Sequence, residues 1–115
     1  MFKIVKYSAD IQPAWDELAG RCGTVFHTTA FRRVLLDSFG YNCCYHAVID
    51  EKDRLRALLP LIKGRNLAME MAAIGLPFVN YIDVCATDEM AKKFLIDSIP
   101  MLRKNNSLGY VELRL

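Results

Sequence analysis

The stretch LPFVNYID, residues 76–83, begins apolar and ends in an amide, a phenol and a carboxylate. Asn80, Tyr81 and Asp83 are types that hydrogen-bond a ligand in a cleft, and polar groups on a loop leaving a strand are well placed to do so. The same residues have a purely structural use. Pro77 can end the strand, Phe78 and Val79 can plug the core, Asn80 can bond its own turn, and Tyr81 can bury its ring with its hydroxyl in water. Lys63 and Arg65 flank the preceding turn and are the two cations best placed to meet an anion. His27 stands just before a helix, where an imidazole can cap the helix or touch a substrate. Lys63, Arg65, Asn80, Tyr81, Asp83 and His27 are therefore the candidate substrate-binding residues. No catalytic residue, metal ligand or cofactor is assigned, because no Ser/His/Asp or Cys/His constellation stands out. His46 reads as a partly buried strand residue, and Arg32 with Arg33 as a solvated pair on a helix. Glu112 and Arg114 share one face of a last strand, as a surface pair or a contact for a partner.

The elements that must position these groups follow from hydrophobic period. FKIVKY (2–7) alternates and reads as a strand with Phe2, Ile4 and Lys6 on one face. Asp10 is expected to cap a helix with Pro13 in its first turn and Trp15, Leu18, Ala19 and Cys22 as its buried stripe, ended by Gly23. After the connector TVFH, a second helix is capped by Thr28 or Thr29, buries Phe31, Val34, Leu35 and Phe39, and stops at Gly40. CCYHAVI (43–49) and RLRALLPLIK (54–63) form a hairpin across DEKD, with Leu55, Ala57, Leu59 and Leu61 on one face. Pro60 predicts a bulge or an unpaired edge, because it cannot donate a ladder bond. AMEMAAIG (68–75) is a further strand. Thr87 is expected to cap a helix with Asp88 and Glu89 in its first turn and Phe94, Leu95, Ser98, Met101 and Leu102 inside. Pro100 either kinks that helix, at about 3 kcal/mol, or divides it into two short helices meeting at Ile99. YVELRL (110–115) is the final strand. The order β-α-α-β-β-β-α-β predicts an α/β (α+β) fold of three layers, with helices on the faces of a sheet.

With 115 residues and 53% hydrophobic content the chain is expected to form one domain. Fifteen basic and 13 acidic residues are scattered without a basic stripe, which argues against nucleic-acid binding by bulk charge. MFKIVKY lacks the apolar run of a signal peptide, and no segment approaches the roughly 20 apolar residues of a membrane span. A soluble, cytoplasmic protein is expected. The four cysteines lack zinc-site spacing and read as reduced thiols, with Cys43 and Cys44 on opposite strand faces.

This order, with FHTTAFRRVLLDSFGY, LLPL, LPFVNY and YVELR, resembles the N-terminal half of the FemAB-type acyltransferases, which add amino acids to peptidoglycan cross-bridges on a GNAT-like fold. The resemblance covers almost the whole chain and implies an incomplete GNAT-like domain, residues 1–115, followed in the family by a second such domain. It implies amide formation between an acyl or aminoacyl donor and an amine acceptor such as a cell-wall precursor, with the protein mainly orienting the two. A second half-domain or a homodimer is the implied protein partner. The chain departs from the pattern twice. The family's NYGG is NYID here, and the turn before the last helix, CATDEM, has no glycine and carries Asp88 and Glu89 where an acyl-coenzyme A diphosphate would sit. These departures predict a domain that recognises the acceptor and is inactive by itself. The alternative is a non-catalytic binding or dimerisation module that pairs through the exposed edge of YVELRL.

Overall fold

In a computed structural model, which describes residues 1–40, 42–65, 71–74, 85–105 and 110–112, the sheet is organised around one long strand. β1 (Lys3–Lys6), β2 (Asn42–Ile49) and β3 (Leu55–Arg65) form an antiparallel meander in space, and β2 is paired to β3 from end to end. The other edge of β3 carries two short strands. β4 (Met71–Ile74) pairs with residues 62–65, and β5 (Cys85–Ala86) pairs with Leu58 and Ala57, both antiparallel. β6 (Tyr110–Glu112) lies parallel to β4, so the order is β1-β2-β3-β4-β6 with β5 beside β3. β5 was not legible in the sequence. Of the expected strand 68–75, only 71–74 falls within the described residues.

The ladder irregularity is not where proline predicted it. Pro60 stands opposite Tyr45 in continuous register, and the shift falls between Val48 and Ile49. The Tyr45 carbonyl turns toward β1 and accepts from the Tyr7 amide at 2.9 Å, so the backbone groups of the Tyr45–Pro60 pair face away from each other and no β2–β3 bond is lost. The real bulge follows from the register: Val48 is opposite Ala57 but Ile49 is opposite Leu55, which leaves Arg56 as the extra residue. One added residue reverses the parity of the strand. Leu55 therefore joins Leu58 and Ile62 on one face, while Ala57, Leu59 and Leu61 face the other way.

Helices cover both faces. A 3-10 turn (Ala9–Ile11) leads into α1 (Gln12–Cys22), so Asp10 lies within the turn and α1 starts without a side-chain cap, with Pro13 in its first turn as expected. Trp15, Leu18 and Ala19 are buried, whereas Cys22, in the last turn, is exposed. A second 3-10 turn (Val25–His27) precedes α2 (Thr29–Phe39). Thr28 caps α2 by accepting from the Phe31 amide at 3.3 Å, and Gly40 ends it in the left-handed region at φ 66°. Leu35 is buried but Val34 is 45% exposed, because the inward line of α2 runs through Phe31 and Leu35, four residues apart. The side chain of Phe39 lies outside the described set.

On the opposite face, α3 (Glu89–Asp97) and α4 (Ile99–Asn105) replace the single helix. The chain breaks at Ser98, whose hydroxyl donates to the Phe94 carbonyl at 2.7 Å, and Pro100 falls in the first turn of α4, where its missing N–H costs nothing. The break re-phases the apolar stripe, so Leu102 turns inward and Met101 is 51% exposed. Ala91, Leu95 and Leu102 pack on Cys44, Val48, Ala57, Leu59 and Leu61. All four cysteines are free thiols, and Cys43 and Cys44 do face opposite layers. Among the described residues no helix is long and apolar enough to cross a membrane.

The α1 face is organised by Trp15. Its ring stacks on Tyr45 at 5.6 Å, meets Tyr7 edge-on at 5.3 Å, and its Nε1–H donates to the His27 carbonyl at 2.7 Å. Trp15→Ala is expected to cost about 3–5 kcal/mol in urea unfolding. Val34→Ala, on the shoulder of α2, is expected to stay within about 0.5 kcal/mol.

Candidate functional site

Among the described residues, a dense group of polar side chains lies where the hairpin turn meets the start of α3. Asp50, only 5% exposed at its carboxylate, accepts from the amides of Lys52 (2.9 Å) and Arg54 (3.1 Å), from Arg54 Nε at 3.0 Å and from Arg56 Nη1 at 3.3 Å. Arg56, the bulge residue, continues outward: Nε donates to Thr87 Oγ1 at 2.9 Å and Nη2 to Asp88 Oδ2 at 2.5 Å. Asp88, rather than Thr87, is the N-cap of α3, and its Oδ1 accepts from the Ala91 amide at 2.8 Å. Thr87 instead ties β5 to β3, its amide donating to the Arg56 carbonyl at 2.8 Å. Beside this group a concavity of about 380 Å³ is lined by Arg21, Arg54, Leu55, Arg56 and Thr87.

Three guanidinium groups around a hollow resemble an anion receptor, but each already has a carboxylate. Arg21 pairs with Glu17 at 2.7 Å, Arg54 and Arg56 share Asp50, and Arg56 also holds Asp88. The charges balance within the protein. The arrangement is a clamp that fixes the hairpin to the first turn of α3.

That clamp bears on coenzyme A at the start of α3. A diphosphate at a helix N-terminus needs free N–H groups and a positive dipole end. At α3 the Asp88 carboxylate already accepts one of these N–H groups, Glu89 adds a second negative charge, and Arg56 holds the cap in place. The residues present do not fit the group at this helix.

The structure separates the residues chosen from sequence. His27 is buried at 3% exposure and closes a capping box, its Nδ1 accepting from the Thr24 amide at 3.0 Å, which places the neutral ring's proton on Nε2. Gly23 is required beside it, since a methyl there would come within 2.9 Å of His27 Nδ1 and 3.0 Å of Cys85 Sγ. Lys63 is half-buried near the end of β3, opposite Asn42 and Ala73, about 23 Å along the strand from Arg56. Arg65 pairs with Met71 through the backbone at the same end. Asn80, Tyr81 and Asp83 lie outside the described residues. Arg56, Asp50 and Arg54 were missed, although arginines at 54 and 56 beside an aspartate in a hairpin turn are a readable signal of a turn clamp.

Nucleophilic chemistry finds no support in the three thiols that lie in the sheet. Burial raises Cys43 and Cys44, and pushes Cys85 up to about 12, so these thiols stay protonated. Burial also lowers His46, an effect that neighbouring Lys6 and Lys63 reinforce and a backbone hydrogen bond at Cys44 opposes; its Nδ1 lies 3.8 Å from Cys44 Sγ.

Among solved structures the chain is similar to a ribosomal-protein-alanine N-acetyltransferase from Brucella melitensis biovar Abortus 2308, with a TM-score of 0.69, 10% identity, and coverage of 100% of this chain and 80% of that one. The fold is GNAT-like. A GNAT family acetyltransferase from Staphylococcus aureus subsp. aureus USA300_TCH1516 gives a TM-score of 0.69 at 10% identity, over 99% of this chain and 86% of that one. Glucosamine-6-phosphate N-acetyltransferase from Arabidopsis thaliana gives 0.60 at 17% identity, over 100% and 82%. No protein-family model and no curated protein matches the chain. The α/β architecture expected from sequence, with helices on both faces of the sheet, is thus present among the described residues.

The titrating groups give the acid response a direction. Burial works to raise Asp50, but the Arg54 and Lys52 amides and the Arg54 and Arg56 side chains outweigh it and hold the carboxyl far below its ordinary 3.8. Both Asp50 and His46 are depressed in the folded state, so the unfolded chain binds more protons and stability falls as pH falls. Urea unfolding is expected to weaken below about pH 6.5, where unfolded His46 takes up a proton, and again below about 3.8 for Asp50. His46→Gln is expected to shrink the first step and Asp50→Asn the second, to which the depressed carboxylates of Asp88 and Glu51 also contribute.

Proposed function

We propose that the chain is an N-acyltransferase domain of the FemAB type that recognises the amine acceptor while the activated donor is held elsewhere. The reading draws on the GNAT-like fold, on neighbours named as N-acetyltransferases, and on the ordered FemAB-like stretches in the sequence. The observation that carries its specific form is the Asp88 carboxylate seated on the first turn of α3 and pinned by Arg56.

On this reading the acceptor amine attacks an acyl carbonyl, a C–N amide bond forms, and the donor's leaving group departs with the acyl C–O or C–S electron pair. The amine proton passes to solvent or to the leaving group. The domain's contribution is placement, which in well-oriented systems is worth about 7–11 kcal/mol of the barrier. Lys63 and Arg65, at one end of β3, are assigned to an anionic part of the acceptor, such as the phosphates of a nucleotide-linked cell-wall precursor. Asn80, Tyr81 and Asp83 are assigned to its peptide. A second half-domain supplies the donor.

Two titrations followed by backbone amide signals test the two halves of the proposal separately. A lipid-free peptidoglycan precursor is expected to shift signals across residues 63–83 in a saturable way, and no such shift would end the acceptor assignment. Acetyl-coenzyme A is expected to leave the Asp88–Ala91 amides unmoved, and saturable shifts there would show that the donor sits on this chain after all.

A further inference from the structure

Two thiols meet at the end of α1. Cys85 Sγ on β5 donates to the Leu18 carbonyl at 3.7 Å, and a methyl on Gly23, just past the helix, would come within 3.0 Å of the same sulfur. Cys22 is the last residue of α1, four beyond Leu18. It therefore stands about 40° round the helix from Leu18 and about 60° from Ala19. Both of these are buried against the sheet, so Cys22 carries their line to the rim, where it is exposed. In an α-helix the amide of residue 22 donates to the carbonyl of residue 18, and a short side chain at 22 can turn back onto that same oxygen. The Leu18 carbonyl is common ground for the two cysteines. Cys85 Sγ accordingly lies within about 7 Å of the Cys22 amide nitrogen. Rotation of the Cys22 side chain, with a small adjustment of the last helical turn, closes that gap to a bond whose Cα atoms need be only about 4.4–6.8 Å apart.

We propose that Cys22 and Cys85 are a redox-sensitive pair, which closes to a disulfide tying the end of α1 to β5 when the chain meets a small oxidising disulfide. The exposed thiol reacts first. Cys22 as thiolate attacks one sulfur of the small disulfide, a mixed disulfide forms on Cys22, and one small thiolate departs. Cys85 then gives its proton to solvent, its sulfur attacks the Cys22 sulfur, and the second small thiolate departs. The two protein thiols have supplied the two electrons that reduce the small disulfide to two thiols. Burial sets this order. Cys85 is 0% exposed, and burial with the neighbouring Cys22 pushes its thiol up to about 12 against the effect of Arg21, so it does not meet the external oxidant itself. Cys43 and Cys44 are adjacent but face opposite layers of the sheet. The bond falls two residues before Thr87, whose amide donates to the Arg56 carbonyl, so oxidation braces the α3 clamp from the α1 side. The pair is independent of the acyltransferase reading, which gives neither cysteine a role.

The test incubates the full chain in a buffer of oxidised and reduced glutathione, quenches with acid and maps cysteine pairing by mass spectrometry. The expected product is two hydrogens lighter, carries no glutathione, and has the Cys22 and Cys85 peptides joined. Cys85→Ser is expected to leave glutathione on Cys22, and Cys22→Ser to leave Cys85 unmodified. The joined chain is expected to melt roughly 10 °C higher and to lose that gain in dithiothreitol. In urea the same buffer is expected to scatter pairing among the four cysteines, because the fold no longer brings these two together. A wild-type chain that keeps glutathione on Cys22 while Cys85 stays reduced would overturn the pair. So would an equal yield of the Cys22–Cys85 link in urea, or a preferred link through Cys43 or Cys44. A joined chain that melts no higher would overturn the brace on the clamp. All these outcomes are read on the wild-type chain, so a variant that fails to fold does not remove the decision.

Discussion

A strand buried on both faces obliges the chain to supply a helical layer on each side, and β3 is that strand. Leu55, Leu58 and Ile62 are buried toward α1 and α2, while Ala57, Leu59 and Leu61 are buried toward α3 and α4. Neither set can be left to water without losing the burial that holds the sheet together. The helices are accordingly not decorations on a hairpin. They are what allows an eleven-residue strand with so few polar side chains to exist in solution.

The bulge at Val48/Ile49 connects this packing to the polar chemistry. By adding Arg56 to one side of the ladder it moves Leu55 to the Trp15 face, and it frees Arg56 to reach Asp50, Thr87 and Asp88. A single extra residue thus sets both the parity of the core and the closure of α3's first turn. The place that the family resemblance reserves for a donor's diphosphate is, in this chain, a structural joint whose charges are satisfied internally.

The two arginine clusters are physical opposites. Around Arg56 every cation meets a carboxylate, and the group ties elements together. Around Arg32 the partners are aromatic faces, which attract a cation without neutralising it. Arg32 and Arg33 are adjacent in sequence and were read as an equivalent solvated pair. Successive helical residues point about 100° apart, so one turns to the sheet and its tyrosines while the other stays with Asp37 on the surface.

Local pattern determined most of the element order, the hairpin, the Gly40 end of α2 and the three-layer class, and narrowed the cap of α2 to Thr28 or Thr29 and the effect of Pro100 to a kink or a break, because caps, prolines and apolar period act over a few residues. Tertiary structure alone decided β5, the bulge, the face of Leu55, the exposure of Val34 and Met101, the cap at Asp88, the burial of His27 and the separate fates of Arg32 and Arg56. These depend on which residue stands opposite which across the sheet, and a one-residue shift in that pairing leaves the apolar pattern readable while reversing where the side chains point.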